Sequence, residues 1–242
     1  MHELTRKLLA VVAAGVLLTP VTSLAAGPSI PLDRANNDVR NVASLQRGAQ
    51  LYMNFCLGCH SAQFMRWNRI ARDLQLTEEQ VMNNLMFTGE SIHDTMQIAM
   101  PGGDAEVWFG KMPPDLSLIA RSRGTDYLYT FLRTFYVDEN GNSNNKVLEM
   151  TSMPHVLWEL QGLQRAVYDD NGDWTGFEQL RAGSMSPEEY DRAVRDLVNF
   201  LDYVGEPIQV ERQRIGTMVI AFLLIFLVLS WLYKREVWRD VK

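Results

Sequence analysis

The residues best suited to chemistry stand within five positions, Cys56-Leu57-Gly58-Cys59-His60. Two thiols separated by two residues and followed at once by an imidazole have the C-x-x-C-H form of a c-type haem attachment. The spacing has a physical basis. Thiols one turn apart reach the two vinyl groups of one porphyrin edge, and the adjacent imidazole then lies under the iron as its proximal ligand. Three other uses of the pair compete. These are the only cysteines in the chain, but a disulfide across two residues would close a very small loop and stabilise little. A thioredoxin-like redox pair wants a buried strand before it, whereas a helical pattern precedes this one. A zinc site needs two further ligands, and beyond His2 the chain offers only His93 and His155.

A second axial ligand decides what such a haem does. An open iron position suits ligand binding or catalysis, and a filled one suits electron transfer. Of the twelve methionines, Met218 lies in an apolar C-terminal run, and Met53 and Met65 are too near the motif to reach across a porphyrin ring. Met100, Met112 and Met153 lie in irregular segments and each precedes proline, which stiffens a loop holding a weak thioether. The pattern favours Met153, leaves Met100 and Met112 open, and keeps His155 as an outside choice.

The motif needs elements to present it. Ser44–Phe55 places Leu45, Ala49, Tyr52 and Met53 on one apolar stripe at helical spacing, so a helix runs straight into Cys56. Thr77-Glu78-Glu79-Gln80 is a capping box that opens a short helix through Val81, Leu85 and Met86. Thr125 is the expected cap of a third helix, Asp126–Tyr136, with Asn140-Gly141 turning the chain after it. Ser186-Pro187-Glu188-Glu189 combines an N-cap, proline at N1 and glutamate at N3. The helix it opens carries Tyr190, Val194, Leu197, Val198 and Leu201 on one face and stops near Gly205 and Pro207. Pro101–Pro114 and Met150–Pro154 read as irregular, and Asp169–Asp173 as a turn between two short strands.

The 242 residues carry 23 Lys and Arg against 29 Asp and Glu, a formal charge of −6, which argues against a nucleic-acid partner. Arg6 and Lys7, the apolar run Leu8–Leu18 and small residues ending at Ala26 have the three parts of a secretory signal. Ile215–Tyr233 has no charge and is long enough to cross about 30 Å of hydrocarbon. Lys234, Arg235, Arg239 and Lys242 behind it outnumber Arg212 and Arg214 before it, which puts the C-terminus inside. The expected organisation is a signal peptide over 1–26, an exported haem domain over 27–210, a linker and transmembrane helix over 211–233, and a cytoplasmic tail over 234–242. The expected fold class is mainly α: a c-type cytochrome domain with long loops around one haem, plus one C-terminal transmembrane helix.

Four features occur in a telling order. They are Arg47-Gly48-Ala49-Gln50-Leu51-Tyr52 ahead of the cysteines, Lys111-Met112-Pro113-Pro114-Asp115-Leu116-Ser117 followed by Arg121-Ser122-Arg123, then Ser152-Met153-Pro154-His155, and a lone C-terminal span. Together they resemble cytochrome c1 of the bacterial type, the haem subunit of quinol–cytochrome c oxidoreductase (cytochrome bc1) complexes. The resemblance implies one covalent haem c with Met153 as the sixth ligand. It implies that Arg123 and Tyr127, with Arg121 as a further candidate, contact a haem propionate. It also implies that Pro113 or Pro114 lies beside the proximal imidazole, where a backbone carbonyl accepts its other N–H. The implied partners are a cytochrome b subunit, a Rieske iron–sulfur subunit and a c-type cytochrome acceptor. The implied setting is a dimeric multi-subunit complex in the bacterial inner membrane, with the haem domain in the periplasm. One-electron transfer needs no general acid or base, so no catalytic side chain is expected and the chain is not an enzyme on its own.

Two rival readings keep the haem. A free-standing anchored cytochrome would serve another periplasmic pathway; Gly216, Thr217 and Ser230, the small or polar residues of the span, are too few to discriminate. A haem enzyme or gas sensor would leave Met153 in the core and turn a polar group such as His93 to an open iron. The acidic turn with Asp169, Asp170 and Asp173 fits either a solvated loop or a surface that steers a basic acceptor.

Overall fold

The computed structural model describes residues 30–240, so the signal expected over 1–26 lies outside the described residues. In chain order the elements are α1 (Val42–Phe55), β1 (Ala62–Arg66), α2 (Trp67–Asp73), α3 (Glu78–Asn84), β2 (Thr95–Met96), α4 (Gly102–Phe109), α5 (Ile119–Arg123) and α6 (Thr125–Arg133). There follow β3 (Phe135–Val137), β4 (Ser143–Asn145), α7 (Trp158–Gln161), β5 (Gly162–Tyr168), β6 (Trp174–Ala182), α8 (Pro187–Gly205) and α9 (Gln209–Val237). The strands form three separate antiparallel pairs, β1 with β2, β3 with β4 and β5 with β6. The mainly helical character is as expected, and so is the β5–β6 hairpin about the Asp169–Asp173 turn; the other two pairs are added to it.

α1 and α8 form the centre of the domain. α1 buries Leu45, Gly48, Ala49, Tyr52 and Met53, and α8 buries Tyr190, Val194, Leu197, Val198 and Leu201. Two apolar stripes at helical spacing thus face each other and exclude water from both. The helices meet closely at Gly48, where a Cβ would stand 2.0 Å from the Asp196 carbonyl oxygen. Polar groups at the crossing pair among themselves. Asp196 accepts from Ser44 Oγ at 2.6 Å and from the Arg47 guanidinium, and Asn199 donates to Ser44 Oγ at 2.9 Å.

Caps explain where the helices begin. Asn41 accepts from the Ser44 N–H, so α1 starts at Val42, two residues before the expected Ser44. The capping boxes at Thr77 with Gln80 and at Ser186 with Glu189 are both formed. The third helix departs from expectation. Gly124, at φ +90°, ends α5 and precedes α6, so Thr125 is the first helical residue instead of the cap. The helix stops at Arg133, and Phe135–Val137 pairs with Ser143–Asn145. Its apolar residues continue past Arg133, and hairpin pairing with the next strand decides the backbone there. α4 is a second departure, a helix inside the stretch expected to be irregular. Pro101 precedes it, Gly110 at φ +74° ends it, and only Ala105 is buried, so it offers no apolar periodicity to read.

α9 runs unbroken for 29 residues, so 211–214 are helical and not a separate linker. It is long and apolar enough to cross a membrane, with a mean hydropathy of 2.6 over its most apolar stretch, none of which is buried against the rest of the chain. Glu206 sits between the domain and this helix and pairs with both Arg121 and Arg212, while Arg40 donates to Gln213 at 2.9 Å.

Candidate functional site

The cysteine motif continues α1 as a tight turn. The Cys56 and Leu57 N–H groups donate to the Tyr52 carbonyl, and those of Cys59 and His60 to the Cys56 carbonyl. Tyr52, fully buried in the α1 stripe, donates its hydroxyl to the His60 carbonyl at 2.6 Å. Both cysteines are unpaired. Burial, with the neighbouring Cys59 adding to it, pushes the Cys56 thiol up to about 12. That is the reverse of the lowered value a redox nucleophile needs, and a helix instead of a strand precedes the pair, so both argue against the thioredoxin-like reading. Among the described residues no cluster of three His, Cys, Asp or Glu stands ready to hold a metal ion.

The stretch 113–117 is clipped along 60–64. His60 Nδ1 lies 2.7 Å from the Pro114 carbonyl oxygen. A carbonyl only accepts, so Nδ1 carries the proton and the Nε2 lone pair is left for another partner. Burial lowers the pKa of this ring, with the Pro114 bond and the Asp115 charge opposing, which favours the neutral form. The Leu116 N–H donates to the Ser61 carbonyl at 2.8 Å, Gln63 N–H to Asp115 at 3.0 Å and Phe64 N–H to Ser117 Oγ at 3.1 Å. The side chains of Asp115 and Ser117 thereby set the position of Pro114. Sequence reasoning did not assign them this work, although polar residues straight after a proline pair are a signal for such a clip.

A cavity of about 260 Å³ opens over the motif. Its lining includes Cys56, Cys59 and His60, apolar side chains such as Leu116, Leu128, Phe131 and Leu201, and Met153 with Pro154. Among the three methionines before proline only Met153 is in the lining; Met112 is largely exposed. His155 is turned away from it. Its ring stacks on Phe135 with centroids 5.0 Å apart, and burial, against the opposing effect of Gln161 and Gly162, pushes its pKa down to about 4. His93 is exposed elsewhere, beside Asn68, and does not face the cavity.

Arg123 and Tyr127 both line the cavity, with the guanidinium 5.5 Å from the ring centre. Arg121 does not join them, because it pairs with Glu206 at the end of α8. Pro113 and Pro114 complete the wall beside His60.

The residues fit a c-type haem. Two adjacent thiols, an imidazole with a free Nε2, an apolar slot, and a cation with a phenol at its rim are the donor set and surroundings such a group requires. The class that fold and site define is therefore that of c-type cytochromes, here with a helix able to span a membrane. The chain belongs to the Cytochrome C1 family, whose model matches residues 37–241. It is 46% identical to cytochrome c1 of Allochromatium vinosum over 96% of this chain and 98% of that one. It is 44% identical to a Nitrosomonas europaea protein named ammonia monooxygenase gamma subunit, over 93% of this chain and 95% of that one. It is 28% identical to mitochondrial cytochrome c1 of Schizosaccharomyces pombe, over 83% of this chain and 68% of that one.

Proposed function

We propose that this chain is the electron-carrying haem subunit of a quinol–cytochrome c oxidoreductase, accepting electrons from an iron–sulfur subunit and passing them to a c-type cytochrome. The observation that carries this reading is that His60 and Met153 line one apolar cavity whose wall also holds Cys56 and Cys59. Cys56 and Cys59 would hold the porphyrin through thioethers, and His60 Nε2 and the Met153 thioether would hold its iron. When bound, the haem supplies a one-electron couple, and His/Met ligation raises its potential.

The remaining residues hold and shield. Pro114 fixes the His60 ring through Nδ1, and the apolar lining keeps water from the site. Arg123 and Tyr127 would receive the propionates, a reading supported by their shared place in the cavity lining, whereas the Arg121 pairing with Glu206 speaks against that role for Arg121. The signal at 1–26 exports the domain, α9 anchors it, and the basic residues after Tyr233 keep the tail in the cytoplasm. Working partners are a cytochrome b and a Rieske iron–sulfur subunit in a dimeric complex, so the chain is not an enzyme alone.

Gentle solubilisation and purification tests the assembly. A b-type cytochrome and an iron–sulfur protein should copurify with the haem chain, and its recovery alone would overturn the assembly reading. The ferric protein should show the weak near-red band of methionine ligation. Ready binding of carbon monoxide by the ferrous protein would overturn the filled-site reading.

A further inference from the structure

Tyr127 and Phe131 line the cavity together with Met153, and ring contacts lead from them out of its wall through Phe135 to His155. Tyr127 and Phe131 stand four residues apart on α6, the spacing that stacks side chains on one helix face, and Phe135 follows in β3. Tyr127 and Phe131 are parallel at 6.2 Å, and Phe135 meets Phe131 edge-on at 5.0 Å. The His155 ring then lies on Phe135 at an interplanar angle of 5°.

Beyond this stack, two buried atoms lack hydrogen-bond partners, His155 Nε2 and Gln161 Oε1. They are complementary, since a neutral ring protonated at Nε2 supplies a donor and the amide oxygen an acceptor. The other end of that amide is already fixed, because Gln161 Nε2 donates to the Arg133 carbonyl at 2.9 Å. The Phe135 stack and the Gln161 amide, whose side chain neighbours the His155 ring, thus lead to the end of α6 or the residues that follow it. The 150–154 loop has few ties of its own: Met150 N–H to Asn144 Oδ1 at 2.9 Å and a long 3.4 Å bond within Thr151–Met153.

We infer that His155 is a positioning residue for the Met153 thioether, docking the Met153 loop onto β3 and the end of α6 by stacking on Phe135 and pairing with Gln161. This rests on the reading of Met153 as a ligand. Pro154 separates the two residues and limits the backbone between them, so fixing the ring fixes the approach of the thioether.

The test uses the full haem-loaded chain in detergent, with the near-red ferric band and the affinity for added imidazole as readouts. In His155→Ala the band should fade on heating well before helical circular dichroism is lost, and imidazole should bind at least about tenfold more tightly. His155→Phe keeps a ring on Phe135 but no donor for Gln161, and should fall between that variant and the parent. Parental values in both variants overturn the inference, as do parental values in His155→Phe should the alanine variant not accumulate. Met153→Leu separates the underlying reading, since a band that survives there means that Met153 is not the ligand, whatever His155 does.

Discussion

The Tyr52 hydroxyl donates to the His60 carbonyl oxygen at 2.6 Å. A residue of the α1 core stripe thereby ties down the far end of the cysteine turn, so the helix that packs the domain also sets where the imidazole leaves the backbone. Tyr52→Phe keeps the ring in the core and strands a carbonyl that is otherwise satisfied. Denaturant unfolding of the haem-loaded chain should show a loss of about 1–2 kcal/mol. An unchanged midpoint would mean that the bond contributes nothing.

Gly48 and Gly58 differ in what surrounds them. A Cβ at Gly48 would stand 2.0 Å from the Asp196 carbonyl oxygen and 2.7 Å from Phe200 Cβ, while one at Gly58 meets nothing within 4 Å. Gly48→Ala must push α1 from α8 and should cost about 3 kcal/mol or more. Gly58→Ala, although inside the motif, should stay within about 0.5 kcal/mol of the parent. Thermal midpoints of the two variants compare them directly.

Asp73 joins α2 to α8. Arg69, Arg72 and the Tyr203 hydroxyl each donate to it at 2.9 Å. Burial disfavours its charge, but these three donors outweigh burial and hold its pKa below the ordinary carboxylate value. A carboxyl depressed in the folded state adds stability above its unfolded pKa of about 3.9, and that stability is lost as pH falls through the folded value. Asp73→Asn should therefore be less stable than the parent at pH 7, by about 1 kcal/mol after solvent screening. The gap should begin to narrow below about pH 4 and close as pH falls through the folded value. A gap that persists at pH 2 would assign the effect to packing instead of charge.

The anchor should be separable from the domain. α9 buries nothing against the rest of the chain, so a chain ending at Ile208 keeps every buried residue of the core. It should enter the aqueous phase on detergent phase separation with its haem bound, while the full chain enters the detergent phase. Retention of the shortened chain in the detergent phase would place a second membrane contact in the domain.

Elements whose signal is local were legible in the residues. The capping boxes at Thr77 and Ser186, the apolar stripe of α1 and the apolar length of α9 each arise from neighbours within a few turns. C-x-x-C-H is equally local, since one short turn carries both thiols and the imidazole. α4 escaped because its boundaries come from backbone conformation at Pro101 and Gly110 while it buries almost nothing, and α6 was read too long because β-pairing with 143–145 takes over at Phe135.

Sequence by itself determined the haem-attachment motif, the main helices and a short set of methionines. Only the tertiary structure put Met153 and not Met112 in the cavity wall, brought Pro114 to His60, turned Arg121 to Glu206 and stacked His155 on Phe135. Those choices join residues 20 to more than 90 positions apart, and periodicity and caps carry no information at that range. They follow from which surfaces close against each other once α1 and α8 have packed.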